Sequence, residues 1–264
     1  MKLLIDAGNT RTKWAWCPEQ SLTLDTHLQV AALENNLWLH DSHCADSQAL
    51  HAAMAQAEEI WVSNVAGALW LESLDAVKEK VKLIKASPSA SGLNNSYSMP
   101  AQLGSDRWCS LLAVWRLHKQ DALVVTAGTA MTMDALVTQP EAEEKTAIFA
   151  GGSIQPGLNL MWKSMQQGAA QLDYEYPHNT AISNGFARNS QQAMWTGCIQ
   201  GLIAPMASQF SQLQALTNGR QPALVLSGGD AMILQRYLPD ALSLNAIIVD
   251  NLVLKGLACL AEST

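Results

Sequence analysis

Four glycine-containing steps stand beside apolar runs: Gly8-Asn9-Thr10, Gly128-Thr129-Ala130, Gly151-Gly152-Ser153 and Gly228-Gly229-Asp230. Glycine lets a backbone turn tightly and approach a ligand with no Cβ in the way. Turn N–H groups that converge on one concavity bind anions, phosphates above all, and Thr and Ser hydroxyls add donors. One such turn is ordinary in an α/β protein, but the set points to phosphate chemistry. Asp6 ends an apolar run beside the first turn. A carboxylate there can hold Mg2+, directly or through water, next to phosphates, or it can cap the turn. Lys13 follows on the next run and can reach a phosphate or lie solvated. Gly104-Ser105-Asp106-Arg107 sets a carboxylate and a guanidinium in the first turn of a predicted helix. The positive helix end favours ionised Asp106. That carboxylate can accept the proton of an attacking alcohol, as in kinases, or merely satisfy the helix end. Arg107 can grip a carboxylate or phosphate through two parallel hydrogen bonds.

Other chemistries find less support. The chain has no GxxxxGK[ST] loop, no GxGxxG and no GxSxG. A nucleotide would therefore be held by two glycine hairpins facing each other across a domain cleft rather than by a single-loop device. No His has a partner at metal-ligand spacing; His40 and His43 are three apart in undistinguished surroundings. Asp134 and Asp230, near the later glycine steps, read as structural. Cys17, Cys44, Cys109, Cys198 and Cys259 are scattered and form no CxxC pair. They read as reduced core fillers of a cytoplasmic protein, not as a disulfide framework or zinc site.

The elements that must position these groups follow from periodicity. Residues 2–6 and 12–16 flank the first glycine turn as a hairpin. Residues 47–59 read as a helix capped by Ser47, 60–66 as a strand, 68–80 as a helix and 81–86 as a strand. The Ser-, Asn-, Gly- and Pro-rich segment 87–104 is a long loop of the functional kind. A helix starts at Ser105, whose hydroxyl can cap it. Residues 123–137 repeat the strand, glycine turn and strand of residues 3–17 at an offset of about 120, which suggests two similar domains. Residues 147–157 read as a strand running into a Gly/Pro turn, a helix over 158–168 follows, and 171–184 is irregular. A helix over about 186–217 follows, kinked or split at Pro205 and stopped by Asn218-Gly219. Residues 223–231 read as a strand, a glycine turn and a helix start, and a last strand at 246–250 and a closing helix complete the chain, so strands alternating with helices predict an α/β fold.

Composition narrows the class. With 48% hydrophobic and 15% charged residues, the 264-residue chain is globular, with some surface expected to be covered by another copy of itself. A net charge of −7 disfavours nucleic acid as the main ligand. No run approaches the length of a membrane helix, and Asp6 interrupts the N-terminus before a secretory signal core could form.

The blocks Asp6-x-Gly8-Asn9-Thr10, Leu103-Gly104-x-Asp106-Arg107, Gly128-Thr129-Ala130-x-Thr132-x-Asp134 and Gly151-Gly152-x-Ile154-x-Pro156-Gly157 resemble the signature blocks of type III pantothenate kinases, in the same order. Thr180-Ala181-Ile182 and Leu226-Ser227-Gly228-Gly229-Asp230 are similar to later blocks. The resemblance implies the acetate and sugar kinase, Hsp70 and actin fold: two ribonuclease-H-like domains, 1–118 and 119–264, with mixed central sheets and ATP in the cleft between them. It implies a homodimer that phosphorylates pantothenate with Mg-ATP, the first step of coenzyme A synthesis. By that resemblance Asp6, Ala7, Gly8, Asn9, Thr10, Arg11, Thr12 and Lys13 line the ATP phosphates, and Thr129 contacts ATP. Asp106 is the general base, and Tyr97, Gly104, Ser105, Asp106, Arg107 and Thr180 hold pantothenate. The family's monovalent-cation aspartate, for K+ or NH4+, is Thr126 here, which leaves that requirement open. The rival readings are another small-molecule kinase of the superfamily, for a sugar-type acceptor, and a non-catalytic transcriptional accessory homologue.

Overall fold

The computed structural model describes residues 1–41, 43–139, 145–169, 171–177, 181–182 and 185–262. The chain runs β1 (Lys2–Ala7), β2 (Arg11–Trp16), β3 (Ala31–Glu34), α1 (Asn35–His40), α2 (Ala45–Gln56), β4 (Glu59–Asn64), α3 (Ala68–Glu72), β5 (Val81–Leu83), β6 (Ser89–Ala90), β7 (Leu93–Asn95) and α4 (Ser105–His118). It continues through β8 (Ala122–Ala127), β9 (Ala130–Gln139), β10 (Thr146–Pro156), α5 (Leu158–Gly168), α6 (Ser190–Leu216), β11 (Ala223–Ser227), α7 (Ala231–Gln235), α8 (Asp240–Ser243), β12 (Ala246–Ile248) and α9 (Leu252–Glu262). Contacts divide it into two compact units: 1–120 with 136–151 and 249–264, and 121–135 with 152–248. The chain enters the second unit at 121 and returns to the first at 136–151 and again at 249, so α9 belongs to the first unit.

In the first unit the sheet order is β3-β2-β1-β4-β5. β1 pairs antiparallel with β2 and parallel with β4, which makes the sheet mixed. The apolar run of β1 explains its central place, because Leu3, Leu4 and Ile5 are all fully buried. Side chains alternate across a strand. Leu3 and Ile5 pack with Trp14, Leu50, Ile60 and Trp70, while Leu4 packs with Trp61, Cys109, Leu254 and Leu257. The second layer comes from α4 and α9. A Cβ on Gly256 would lie 2.0 Å from the Cys109 carbonyl oxygen, so a glycine sets their approach.

The second sheet has seven strands in the order β12-β11-β8-β9-β10-β7-β6, with β8 parallel to β11 and β11 parallel to β12. Its strands β10-β9-β8-β11-β12, counted from β8, run third, second, first, fourth, fifth, as β3-β2-β1-β4-β5 do in the first sheet. The spacing between Gly8 and Gly128 therefore reflects a repeated topology. α5 carries Trp162 and α6 carries Trp195; both are buried and meet Tyr176 edge to face.

Some local expectations are corrected. Gly151-Gly152-Ser153 lies inside β10 rather than in a turn; Gly151 takes φ of 125° within the strand. Residues 68–80 split into α3 and a 3-10 helix over Asp75–Lys80. α2 starts before Ser47, whose buried hydroxyl donates to the Leu37 carbonyl instead of capping. α6 starts at Ser190, capped by Asn189, and runs unbroken through Pro205. Phe186, expected on its apolar face, is 99% exposed. Among the described residues no helix is long and apolar enough to cross a membrane.

Candidate functional site

In the first unit, Asp6 is the penultimate residue of β1. Its register partners are Lys13 on β2 and Ser63 on β4. Cross-strand partners share a face, so these three side chains lie on the same face as Leu4, the face covered by α4 and α9. The Ser63 hydroxyl lies 2.9 Å from that of Ser105, the first residue of α4. The Lys13 ammonium donates to Oδ1 of Asn251 at 3.2 Å, immediately before α9.

Ser105 does not cap its helix as expected. Gly104 holds the N-cap position without a side-chain bond, and the Ser105 hydroxyl serves Ser63 and the Asn64 carbonyl. Asp106 folds back on the helix start: its Oδ1 accepts from the Arg107 N–H at 2.8 Å. A Cβ at position 104 would come within 2.5 Å of that oxygen, so the glycine makes room for the carboxylate. One Asp106 oxygen is thereby anchored, which leaves Oδ2 for another role.

Electrostatics tie these groups together. Burial pushes Asp6 up to about 7, against the pull of the Lys13 ammonium and with a further push from Asp106. Burial also raises Asp106, opposed by the N–H and the guanidinium of Arg107. Cys109, one helical turn on, is pushed well up by burial and then by Asp6 and Asp106, so it stays a thiol and is no nucleophile. Two carboxylates with raised proton affinity, a lysine and a helix N-terminus suit the handling of phosphates and a hydroxyl proton.

Beside Asp106, Arg107 is buried and donates from Nη1 to the Tyr97 hydroxyl at 3.0 Å. Its guanidinium carbon lies 5.7 Å from the ring centres of both Tyr97 and Phe149, and those rings are 5.1 Å apart. This aromatic bracket fixes a planar cation next to the carboxylate. The structure thus brings Tyr97, Gly104, Ser105, Asp106, Arg107, Asp6 and Lys13 into one region of the first unit. Thr180 lies outside the described residues.

The first glycine turn is a tight one in which the Gly8 N–H donates to the Arg11 carbonyl at 3.1 Å. Asn9, Thr10 and Arg11 are exposed, Ala7 and Thr12 are buried, and Arg11 pairs with Glu34. In the second unit Gly128 and Thr129 form the matching turn between β8 and β9, with Thr129 exposed. The Gly157 N–H donates to the Thr129 carbonyl at 3.0 Å, and a Cβ on Gly157 would lie 1.9 Å from the Gly128 carbonyl oxygen. A Cβ on Gly228, which takes φ of 96°, would lie 2.2 Å from the Ala127 carbonyl oxygen. Gly128, Gly157 and Gly228 are therefore gathered at one end of the second sheet. Thr126 sits opposite Ser227 on β11, a pair of neutral hydroxyls.

Sequence reasoning missed Asn35, Asn251 and Phe149. Each acts on a residue far away in sequence and carries no local motif.

The chain matches the family model described as type III pantothenate kinase over residues 2–212. It is 34% identical to the type III pantothenate kinase of Laribacter hongkongensis, with 99% of both chains covered. It is 36% identical to that of Aromatoleum aromaticum, covering 99% of this chain and 98% of the relative. Among solved structures, a Campylobacter jejuni protein described as a Baf family transcriptional activator is similar with a TM-score of 0.60 and 20% identity, covering 99% of this chain and 98% of that one. A Sinorhizobium meliloti protein described as a 2-dehydro-3-deoxygalactonokinase is similar with a TM-score of 0.55 and 15% identity, covering 100% and 99%. At those identities the structural likeness speaks for the fold alone.

Proposed function

Because the chain belongs to the type III pantothenate kinase family, a family of enzymes, we propose that it transfers the γ-phosphoryl group of ATP to pantothenate, giving 4'-phosphopantothenate for coenzyme A synthesis. The observation that carries the reading is the grouping of Asp106, Arg107 and Tyr97 beside Asp6 and Lys13. Oδ2 of Asp106 takes the proton of the pantothenate primary hydroxyl as that oxygen attacks the γ-phosphorus in line, while Oδ1 stays anchored by the Arg107 N–H. Arg107, held by Tyr97 and Phe149, and Thr180 orient the acceptor. Lys13 and the N–H groups of Asn9 and Thr10 take the ATP phosphates, and Thr129 contacts ATP. Positioning and electrostatics then supply most of the rate.

Among the described residues no three His, Cys, Asp or Glu side chains cluster. That fits Mg2+, which prefers one or two carboxylates together with substrate phosphates and waters, and Asp6 is the carboxylate for it. When bound, the ion supplies charge neutralisation on the phosphates. At Thr126, opposite Ser227, a hydroxyl and backbone carbonyls can still ligate K+ or NH4+, without the full negative charge of an aspartate. A homodimer accords with the exposed apolar side chains of Ile154, Leu160 and Met232, and a reducing cytoplasm with the free cysteines.

The test is ADP release with pantothenate against a panel of sugars and N-acetylhexosamines, with and without K+. Turnover with a sugar and none with pantothenate would refute the acceptor assignment. Asp106→Asn is expected to lower kcat by about 100-fold or more, the span of general-base catalysis, with ATP affinity retained. Normal turnover by that variant would remove Asp106 from the mechanism.

A further inference from the structure

Asn35, the first residue of α1, is 8% exposed, and its side chain is aimed at the first glycine turn. Its Nδ2 donates to the carbonyl oxygen of Gly8 at 2.6 Å and to that of Asn9 at 3.1 Å. Its Oδ1 accepts from the Thr12 hydroxyl at 2.7 Å, and its own N–H donates to the Thr10 carbonyl at 2.9 Å. Thr12 is fully buried, and its hydroxyl accepts in turn from Nε1 of the fully buried Trp70 at 2.8 Å. The amide orientation is set by chemistry, because a flipped Asn35 would present oxygen to two carbonyl oxygens.

This geometry has a directional consequence. A trans peptide carries its C=O and N–H on opposite sides of one plane, and the described chain has no cis bonds. Drawing the Gly8 and Asn9 carbonyls to one amide turns the N–H groups of Asn9 and Thr10 away from Asn35, toward the other side of the turn. Successive backbone N–H groups on one side of a turn are donors for an anion. We propose that Asn35 is a positioning residue that preorganises the turn at residues 8–10 for the phosphates of ATP. The inference rests on the kinase reading above. Without the clamp the two peptide planes rotate independently, and ATP must order them on binding, which weakens its affinity.

Asn35→Asp keeps the shape and replaces both donors by an oxygen. ATP affinity by titration calorimetry, the KM of each substrate and the Tm are measured on the full chain. The ATP Kd and KM are expected to rise about tenfold or more, with the KM for pantothenate within twofold of wild type. ATP affinity unchanged in folded Asn35→Asp overturns the proposal, as does an equal rise in both KM values, the mark of a merely structural role. Should that variant fail to fold, Thr12→Val and Thr12→Ser decide. Valine, which cannot hold Oδ1, raises the ATP Kd, and serine restores it; an unchanged Kd with valine overturns the clamp. Wild type that binds ATP but leaves pantothenate untouched refutes the acceptor assignment and leaves the clamp standing. Wild type that binds no ATP refutes both.

Discussion

Asp6→Asn separates what this residue does to the fold from what it does for phosphates. Burial first, with Asp106 adding and Lys13 opposing, raises native Asp6 to about 7, against 3.8 for an ordinary aspartate. Between those two values the native chain holds a proton that the unfolded chain has lost. Stability therefore falls as pH rises from about 4 and levels off above about 7. The shift of about three pH units corresponds to a ceiling of about 4 kcal/mol at 1.36 kcal/mol per unit. Asp6 is only partly buried, and solvent screening leaves about half of that, roughly 2 kcal/mol. For a chain of this size, 1 kcal/mol moves Tm by about 2–4 °C, giving about 4–8 °C. Asparagine is neutral at every pH, so the variant should melt like wild type near pH 4 and about 4–8 °C higher at pH 8. ATP turnover should meanwhile be lost with the carboxylate. Melting scans from pH 4 to 8 alongside ADP release make the measurement. A stability difference that is constant with pH, or that favours wild type at pH 8, would refute the account of Asp6 as a carboxylate held against its own solvation.

Tyr97→Phe removes the acceptor of the Arg107 Nη1 bond and keeps the ring on Phe149. A loss of about 1 kcal/mol, or about fivefold in the KM for pantothenate with that for ATP unchanged, is expected from steady-state kinetics. Gly256→Ala would set a methyl 2.0–2.8 Å from three Cys109 backbone atoms. Helix propensity alone favours alanine by about 1 kcal/mol, but overpacking costs about 1–3 kcal/mol. Chemical denaturation should show net destabilisation, and a more stable variant would contradict the close approach of α4 and α9.

The legible parts of the fold were those in which local pattern and tertiary role coincide. The β1–β2 hairpin, α5, and the strand, glycine turn and helix of residues 223–235 form where the apolar pattern and turn residues indicate. The pattern failed where packing overrides propensity. The two glycines of 151–152 look like a turn, yet β10 continues through them, because Gly151 takes its left-handed φ inside a paired strand. Ser105 looks like an N-cap, yet its hydroxyl is drawn to Ser63 on another element. Phe186 fits a helical stripe, yet Asn189 starts α6 after it by accepting the Gln192 N–H.

The order of residues determined which groups are available and which elements carry them: a carboxylate near the end of β1, a carboxylate and a guanidinium opening α4, and matched glycine turns in two similar halves. These follow from spacing, since short-range periodicity and turn chemistry act over a few residues. Only the folded chain decided which groups meet. Asn35 reaches Gly8 across 27 positions, Ser105 reaches Ser63 across 42 and Lys13 reaches Asn251 across 238. Such partners are chosen by sheet register and helix packing, and the short-range pattern of a sequence holds no trace of either.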